Sequence, residues 1–171
     1  MSGIVNSTGA RSGLIGTTVG TPASKVVQVV QYATAGQHTR TSATFRDLST
    51  AFQKSITITA GNSILIQVAL TISIKGRTEI YCRLYDATLS AVIGTEGSDG
   101  LFGATNPGPV DAHFGNVCHN QLYTPGSGTV HDIHAYFKCN GTNIVTINNR
   151  AYGDNGYGRL TSTLTLTELA A

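Results

Sequence analysis

From Asn62 to Lys75 the chain reads Asn-Ser-Ile-Leu-Ile-Gln-Val-Ala-Leu-Thr-Ile-Ser-Ile-Lys, with Ile64, Ile66, Val68, Leu70, Ile72 and Ile74 on every second position. Successive side chains of a strand point to opposite faces. A period of two therefore gathers these residues on one side and leaves Leu65, Gln67, Ala69, Thr71 and Ser73 on the other. Branched Ile and Val also suit a pleated surface better than a helix. At about 3.3 Å per residue the run extends roughly 40 Å. The spacing predicts the central strand of a sandwich, with its even-numbered side in the middle of the core.

Shorter stretches of the same kind surround it. Lys25 to Thr34 is apolar on both faces, as expected inside a sandwich or a subunit contact. Thr44 to Leu48 reads as a short strand or corner that buries Phe45 and Leu48. Lys54 to Ala60 alternates and enters the long strand through a Gly61-Asn62 turn. In Glu79 to Asp86, Ile80, Cys82 and Leu84 share one face, and Tyr81, Arg83 and Tyr85 the other. Ala91 to Ile93, Asn116 to Tyr123, Val130 to Cys139, Asn143 to Asn148 and Leu160 to Leu169 complete the set, with a hairpin signal at Asn140-Gly141. Residues 96–112 hold two prolines and several glycines, which predicts one long irregular loop. About nine strands and no helix describe an all-β chain, an antiparallel β-sandwich of jelly-roll type.

The 171 residues suit one domain. Only 12% are charged, about half the usual share of roughly 25%. The polar surface is therefore Thr, Ser, Asn, Gln and Gly, which an assembly can bury without stranding ions. A net charge of +2 with no basic run leaves no footprint for nucleic acid. No stretch approaches the roughly 20 apolar residues of a membrane helix, and the N-terminus has no apolar core of a signal peptide. Cys82, Cys118 and Cys139 are odd in number and sit in strand-like contexts, which reads as buried free thiols, with a Cys118–Cys139 bridge as the alternative. Glycines at 3, 9, 13, 16 and 20 leave no strand or helix period before Pro22. Residues 1–22 are thus expected to be an extended arm ordered only against a neighbour, and residues 23–171 the sandwich domain.

Catalytic patterns are missing from the sequence. His131 and His134, three apart on a strand, point to opposite faces and cannot share a metal within one chain. His113, Cys118 and His119 lack zinc spacing. Asp99, Asp111 and Asp132 follow no pairing rule, and Asp154-Asn-Gly156 lacks the later acidic ligand of a calcium loop, so it reads as a tight polar turn. There is no Gly-x-Ser-x-Gly elbow, phosphate loop or dinucleotide fingerprint. The expectation is a non-enzyme without cofactor or metal. Tyr123, Tyr152 and Tyr157 beside turns, and Phe102 in the long loop, are candidates for contact with sugars or partner surfaces, or for local packing.

Gly156-Tyr-Gly-Arg-Leu-Thr-Ser-Thr-Leu-Thr-Leu-Thr-Glu-Leu-Ala-Ala171 resembles the closing strand of a family of small phage fibre proteins of marine and cyanobacterial phage type. Ser12-Gly-Leu-Ile-Gly-Thr-Thr-Val-Gly20 leading into Lys25-Val-Val-Gln-Val-Val30 resembles its opening. Ser42-Ala-Thr-Phe-Arg-Asp-Leu48, the Ile-rich strand and Arg83-Leu-Tyr-Asp86 follow in the family's order, while 95–120 has no counterpart. The resemblance implies a virion protein assembled in the host cytoplasm, a homotrimer of jelly-roll heads. Its N-terminal arm (Ile4, Val5, Arg11, Leu14, Ile15) would attach to other virion proteins. By the same analogy Phe102 and Asn106 in the 95–112 loop, Tyr123, and Tyr152, Asp154 and Tyr157 would meet a host surface glycan or receptor. Tail fibre or adsorption knob, capsid decoration and a lectin-like carbohydrate-binding module are the competing roles.

Overall fold

The computed structural model describes residues 25–36, 38–47, 52–74, 78–94, 102–106, 113–140, 145–148 and 161–171. The arm positions Ile4, Val5, Arg11, Leu14 and Ile15, and the turn residues Tyr152, Asp154 and Tyr157, lie outside them.

Among the described residues twelve strands form two six-stranded antiparallel sheets, and the chain is an all-β sandwich. They are β1 (Val26–Thr34), β2 (His38–Arg40), β3 (Arg46–Asp47), β4 (Gln53–Thr57), β5 (Ser63–Ile74) and β6 (Thr78–Asp86). These are followed by β7 (Ala91–Ile93), β8 (Phe102–Asn106), β9 (His113–Tyr123), β10 (Val130–Cys139), β11 (Val145–Ile147) and β12 (Ser162–Leu169).

Pairing register reduces each sheet to four rows, because short strands lie end to end. In sheet A one edge of β5 pairs with β12 through Ala69↔Thr163 and then with β11 from Ile72↔Ile147. β1 and β2 continue that pattern one row out, and β9 covers the other edge of β5 along its length. In sheet B β10 is flanked by β3 and β4 on one side and β6 on the other. Beyond β6 lie β7 and β8. The rows therefore run β1/β2, β11/β12, β5, β9 in sheet A and β3/β4, β10, β6, β7/β8 in sheet B.

The period-two run behaves as its spacing requires. Ile64, Ile66, Val68, Leu70 and Ile72 are all buried and meet Leu164, Leu166 and Ile147 of the same sheet. From sheet B come Ile80, Cys82, Leu84, Ile133, Ala135 and Phe137. Burying each large aliphatic side chain contributes about 1.5–3 kcal/mol, so the β5 face is a principal source of stability. Gly61 takes φ +89° in the turn before β5, a left-handed conformation that glycine adopts without a Cβ clash.

Several expectations need correction. β1 is an edge row with one face in solvent: Val27 is 50% and Val29 56% exposed. That excludes burial of both faces inside the sandwich and leaves the subunit contact as the other expectation for its outward valines. The 96–112 stretch is not wholly irregular, since Phe102–Asn106 pairs with β6 from Cys82↔Phe102 to Thr78↔Asn106. Gly103, which reads as a breaker, sits where a Cβ would come 2.2 Å from the Ile80 carbonyl oxygen, so the close pairing itself requires glycine. Asn140 does not open a hairpin between its flanking strands, because β10 belongs to sheet B and β11 to sheet A. Its backbone N–H instead donates to the Glu79 carbonyl at 3.0 Å. Phe45 is half-buried rather than buried, and Leu48 lies outside the described residues. Cys82 and Cys139 are buried free thiols as expected, but Cys118 is exposed and also free, so no Cys118–Cys139 bridge forms.

Candidate functional sites

The outward positions of sheet A form one surface of unusual chemistry. Cross-strand register aligns Val29, Thr167, Leu65 and Leu122 in one line, with Val29 and Leu122 each 56% exposed at its two ends. The next line is Gln31, Thr165, Gln67 and Asn120, and the third Ala33, Thr163, Ala69 and Cys118. Within the middle line Gln31 Nε2 donates to Thr165 Oγ1 at 2.9 Å and Gln67 Nε2 to Asn120 Oδ1 at 3.3 Å. Thr71 Oγ1 donates to Asn116 Oδ1 at 3.1 Å further along. Among the described outward residues of β1, β12, β5 and β9 there is no Asp, Glu, Lys, Arg or His.

Sheet B presents the opposite chemistry. Its outward side carries Asp132, His134, Tyr136 and Lys138 on β10, and Tyr81, Arg83 and Tyr85 on β6. Tyr85 and Tyr136 stack with ring centroids 5.1 Å apart and planes 19° from parallel, and His134 meets Tyr136 edge-on at 5.7 Å. Arg83 lies over the Phe45 ring at 4.1 Å, and Lys138 over Phe45 at 4.9 Å and Tyr81 at 5.0 Å. His134 bridges two carboxylates, Nδ1 to Asp47 Oδ1 and Nε2 to Asp132 Oδ2, each at 3.0 Å. Burial pulls the His134 pKa down, but the hydrogen bonds and charges of Asp132 and Asp47 outweigh it and leave the group above its ordinary value. Phe45, Arg46, Asp47 and Tyr136 line an open cleft of ≈ 300 Å³ beside this array.

Inside the sandwich, Asp86 at the end of β6 collects four donors. Tyr123 OH (2.9 Å) and His131 Nδ1 (2.7 Å) reach Oδ2, and the backbone N–H groups of Thr88 (3.0 Å) and Leu89 (3.3 Å) reach Oδ1. Both carboxylate oxygens are thereby engaged. His131 Nε2 faces the Ser127 carbonyl at 3.2 Å, so both ring nitrogens meet acceptors. Burial, then the bond to Asp86 and its charge, push the Tyr123 phenol pKa well up. Ser127, His131 and Asp86 occur in the combination of a nucleophilic triad, yet the geometry differs from one. The imidazole engages the serine's carbonyl, the Ser127 hydroxyl has no hydrogen-bond partner among the described residues, and His131 and Asp86 side chains are wholly shielded from solvent. The network pins the 124–129 connection to the core.

Two further buried polar groups hold chain ends and interruptions. Glu168 accepts from Gln28 Nε2 at 2.7 Å, the Thr59 N–H at 2.8 Å and Asn62 Nδ2 at 2.6 Å. Burial raises its pKa, but these donors outweigh burial and bring it below the ordinary carboxylate value. Gln28 Nε2 also donates to the Thr57 carbonyl, so this cluster ties β1, β4, the turn before β5, and β12 together. Where β11 hands over to β12, Asn148 adopts φ +63° and its Nδ2 donates to the carbonyls of Thr34 (2.7 Å) and Gly36 (3.1 Å). Ser162 Oγ donates to Asn148 Oδ1 at 2.5 Å and accepts from the Thr71 N–H at 3.0 Å.

Of the expected contact residues, Phe102, Asn106 and Tyr123 fall within the described residues. Phe102 and Asn106 end the edge strand β8, whereas Tyr123 closes β9 with its hydroxyl committed to Asp86. Tyr152, Asp154 and Tyr157 lie outside the described residues. His131 and His134 do point to opposite sides of β10, and among the described residues no cluster of His, Cys, Asp and Glu could hold a metal ion. The sheet B array was not singled out from sequence, although its signal was present in the alternations Tyr81-Arg83-Tyr85 and His134-Tyr136-Lys138. No protein-family model matches the chain, and no curated protein does either.

Proposed function

We propose that the chain is a non-enzymatic structural protein on the outside of a phage particle. Copies of it meet across the uncharged face of sheet A, and residues 1–22 attach it to the virion. The observation that carries the reading is that face. A contact between identical subunits near a symmetry axis sets each residue against its own copy, so a charge there repels itself. Thr, Asn and Gln hold donors and acceptors at once and can pair with their own kind. Val29, Leu65 and Leu122 supply the apolar share of such an interface. A threefold order, the phage setting and the arm's role come from the resemblance of Ser12–Gly20, Ser42–Leu48 and Gly156–Ala171 to small phage fibre proteins. Jelly-roll winding, the finer form of the sandwich, is supported by the row order: the chain alternates between sheets row by row except from β6 to β7/β8, and the first row pairs with the last.

Sedimentation velocity of the purified protein tests the core of this reading. A trimer that Ala69→Glu converts to folded monomer is expected, and a monomeric wild-type chain at tens of micromolar overturns it. Images of intact particles then decide the role. Density at the tail supports an adsorption knob, and density in many copies on the head supports capsid decoration.

A further inference from the structure

We propose that the cleft between Phe45, Asp47 and Tyr136 on the outer side of sheet B binds a neutral saccharide. This deepens the reading above by naming a ligand class, and the host-contact role it gives that ligand rests on it. The site differs from the loops that resemblance alone would select, since it stands on strands β3 and β10.

The chemistry argues for the class. The cleft of ≈ 300 Å³ is at the small end of ligand sites and has room for one or two sugar rings. Of the described residues that line it, Phe45 and Tyr136 are aromatic and both half-buried. A pyranose has one face of C–H bonds that lies against such rings and an equator of hydroxyls that both donate and accept. Asp47 accepts and Arg46 donates, so the lining meets both needs. A phosphate in the same place would lie against the Asp47 carboxylate, and an alkylammonium against the Arg46 guanidinium. A ligand without net charge avoids both penalties.

The walls are also held in place beforehand. Asp47 Oδ1 is fixed by His134 Nδ1 at 3.0 Å, and His134 is itself held by Asp132. Tyr136 is clamped by its stack on Tyr85 and the edge of His134. Arg83 and Lys138 over Phe45 restrain that ring. Little ordering remains to be done when a ligand arrives, which is what a shallow site needs to bind at all.

The test is a printed panel of bacterial O-antigen, capsular and exopolysaccharide fragments together with common disaccharides, probed with the labelled full-length chain. At least one saccharide should be retained. Its affinity should fall roughly tenfold or more in Asp47→Asn and in Phe45→Ala, the loss expected for a charge-assisted hydrogen bond or a stacking surface, and stay unchanged in Leu89→Ala, a side chain 44% exposed on the turn after β6. Should a variant fail to fold, amide shifts of the wild-type protein titrated with the retained saccharide decide: changes centred on 45–47 and 134–136 sustain the site, and changes elsewhere overturn it. Retention of no saccharide overturns the proposal. So does retention that both variants leave intact, or occupation of the cleft by inorganic phosphate or tetramethylammonium while sugars leave it empty. Sedimentation reads the sheet A contact separately, so loss of either result leaves the other standing.

Discussion

The two outer faces of the sandwich are built from the same backbone and the same alternation, yet they differ in every chemical respect. Sheet A shows lines of Thr, Gln, Asn, Ala, Val and Leu and no charge among its described outward residues, whereas sheet B sets Tyr81, Tyr85 and Tyr136 among Arg83, Lys138, Asp47, Asp132 and His134. A low charge content averaged over the whole chain hides this. Among the described outward residues of the long strands the charges are segregated to sheet B, and such a division fits a molecule with one side turned to its copies and the other outward. The lesson is that composition describes a surface only after topology has sorted it.

The comparison can be broken at its shared foundation first. Leu70→Asp places a carboxylate without a partner among Ile64, Ile66 and Ile72, at a penalty of several kcal/mol. It should abolish soluble folded protein and both faces with it, and a wild-type-like circular dichroism melt of that variant would falsify the core assignment. Next in size is a charge on sheet A. Ala69→Glu or Gln67→Lys should abolish assembly while the monomer's melting temperature stays within a few degrees, and Tyr85→Lys on sheet B should leave assembly intact. Equal loss from either face in sedimentation would erase the proposed division of labour.

Smaller effects separate the polar clusters. Glu168→Gln should cost about 1–3 kcal/mol in urea melts, because it removes an ionised acceptor shared by buried donors. The folded-state pKa of Glu168 lies below its unfolded value. Its contribution is therefore complete above the ordinary carboxylate range and fades as pH falls through the depressed value, so the variant should lose the wild type's decline over that acid window. His134 behaves in the reverse sense. Its folded pKa is raised, so its contribution is complete below the ordinary histidine value of 6.5 and is lost as pH rises through the folded value. Asp47 is 39% exposed, and solvent screening holds this effect to about 1 kcal/mol or less. His134→Asn should flatten that part of the stability profile, and an unchanged profile would remove the clamp from the account of the cleft.

How much of this could be read from the chain follows from what each signal encodes. The Ile64–Ile72 face was legible because a strand's alternation is local and the core has one chemistry. So was the opposition of His131 and His134. The destination of β11 was not, because Asn140-Gly141 chemistry encodes a reversal of the chain without saying whether the next strand rejoins the same sheet. Strand β8 was hidden by Gly103, whose absent side chain looks like flexibility in sequence and is a packing requirement beside Ile80. The aromatic array and the buried Asp86 were missed for a common reason. Tyr85 meets Tyr136, and Asp86 meets His131 and Tyr123, only after distant strands have paired.

The end-to-end strands of each row carry an evolutionary consequence. On β5 only Leu70 and Thr71 separate the pairing with β12 from that with β11, whereas the opposing chain spends residues 148–162 crossing the same gap. On β6 only Arg83 separates Leu84↔Ile93 from Cys82↔Phe102, while the partner runs from 94 to 101. Register resumes on both sides of each gap, so the length of the inserted chain is uncoupled from the rest of the ladder. Closing a loop twice as long adds only about 0.6 kcal/mol. Such a ladder can accept chain of a different length or composition between Asn148 and Ser162 while its interior sequence stands still.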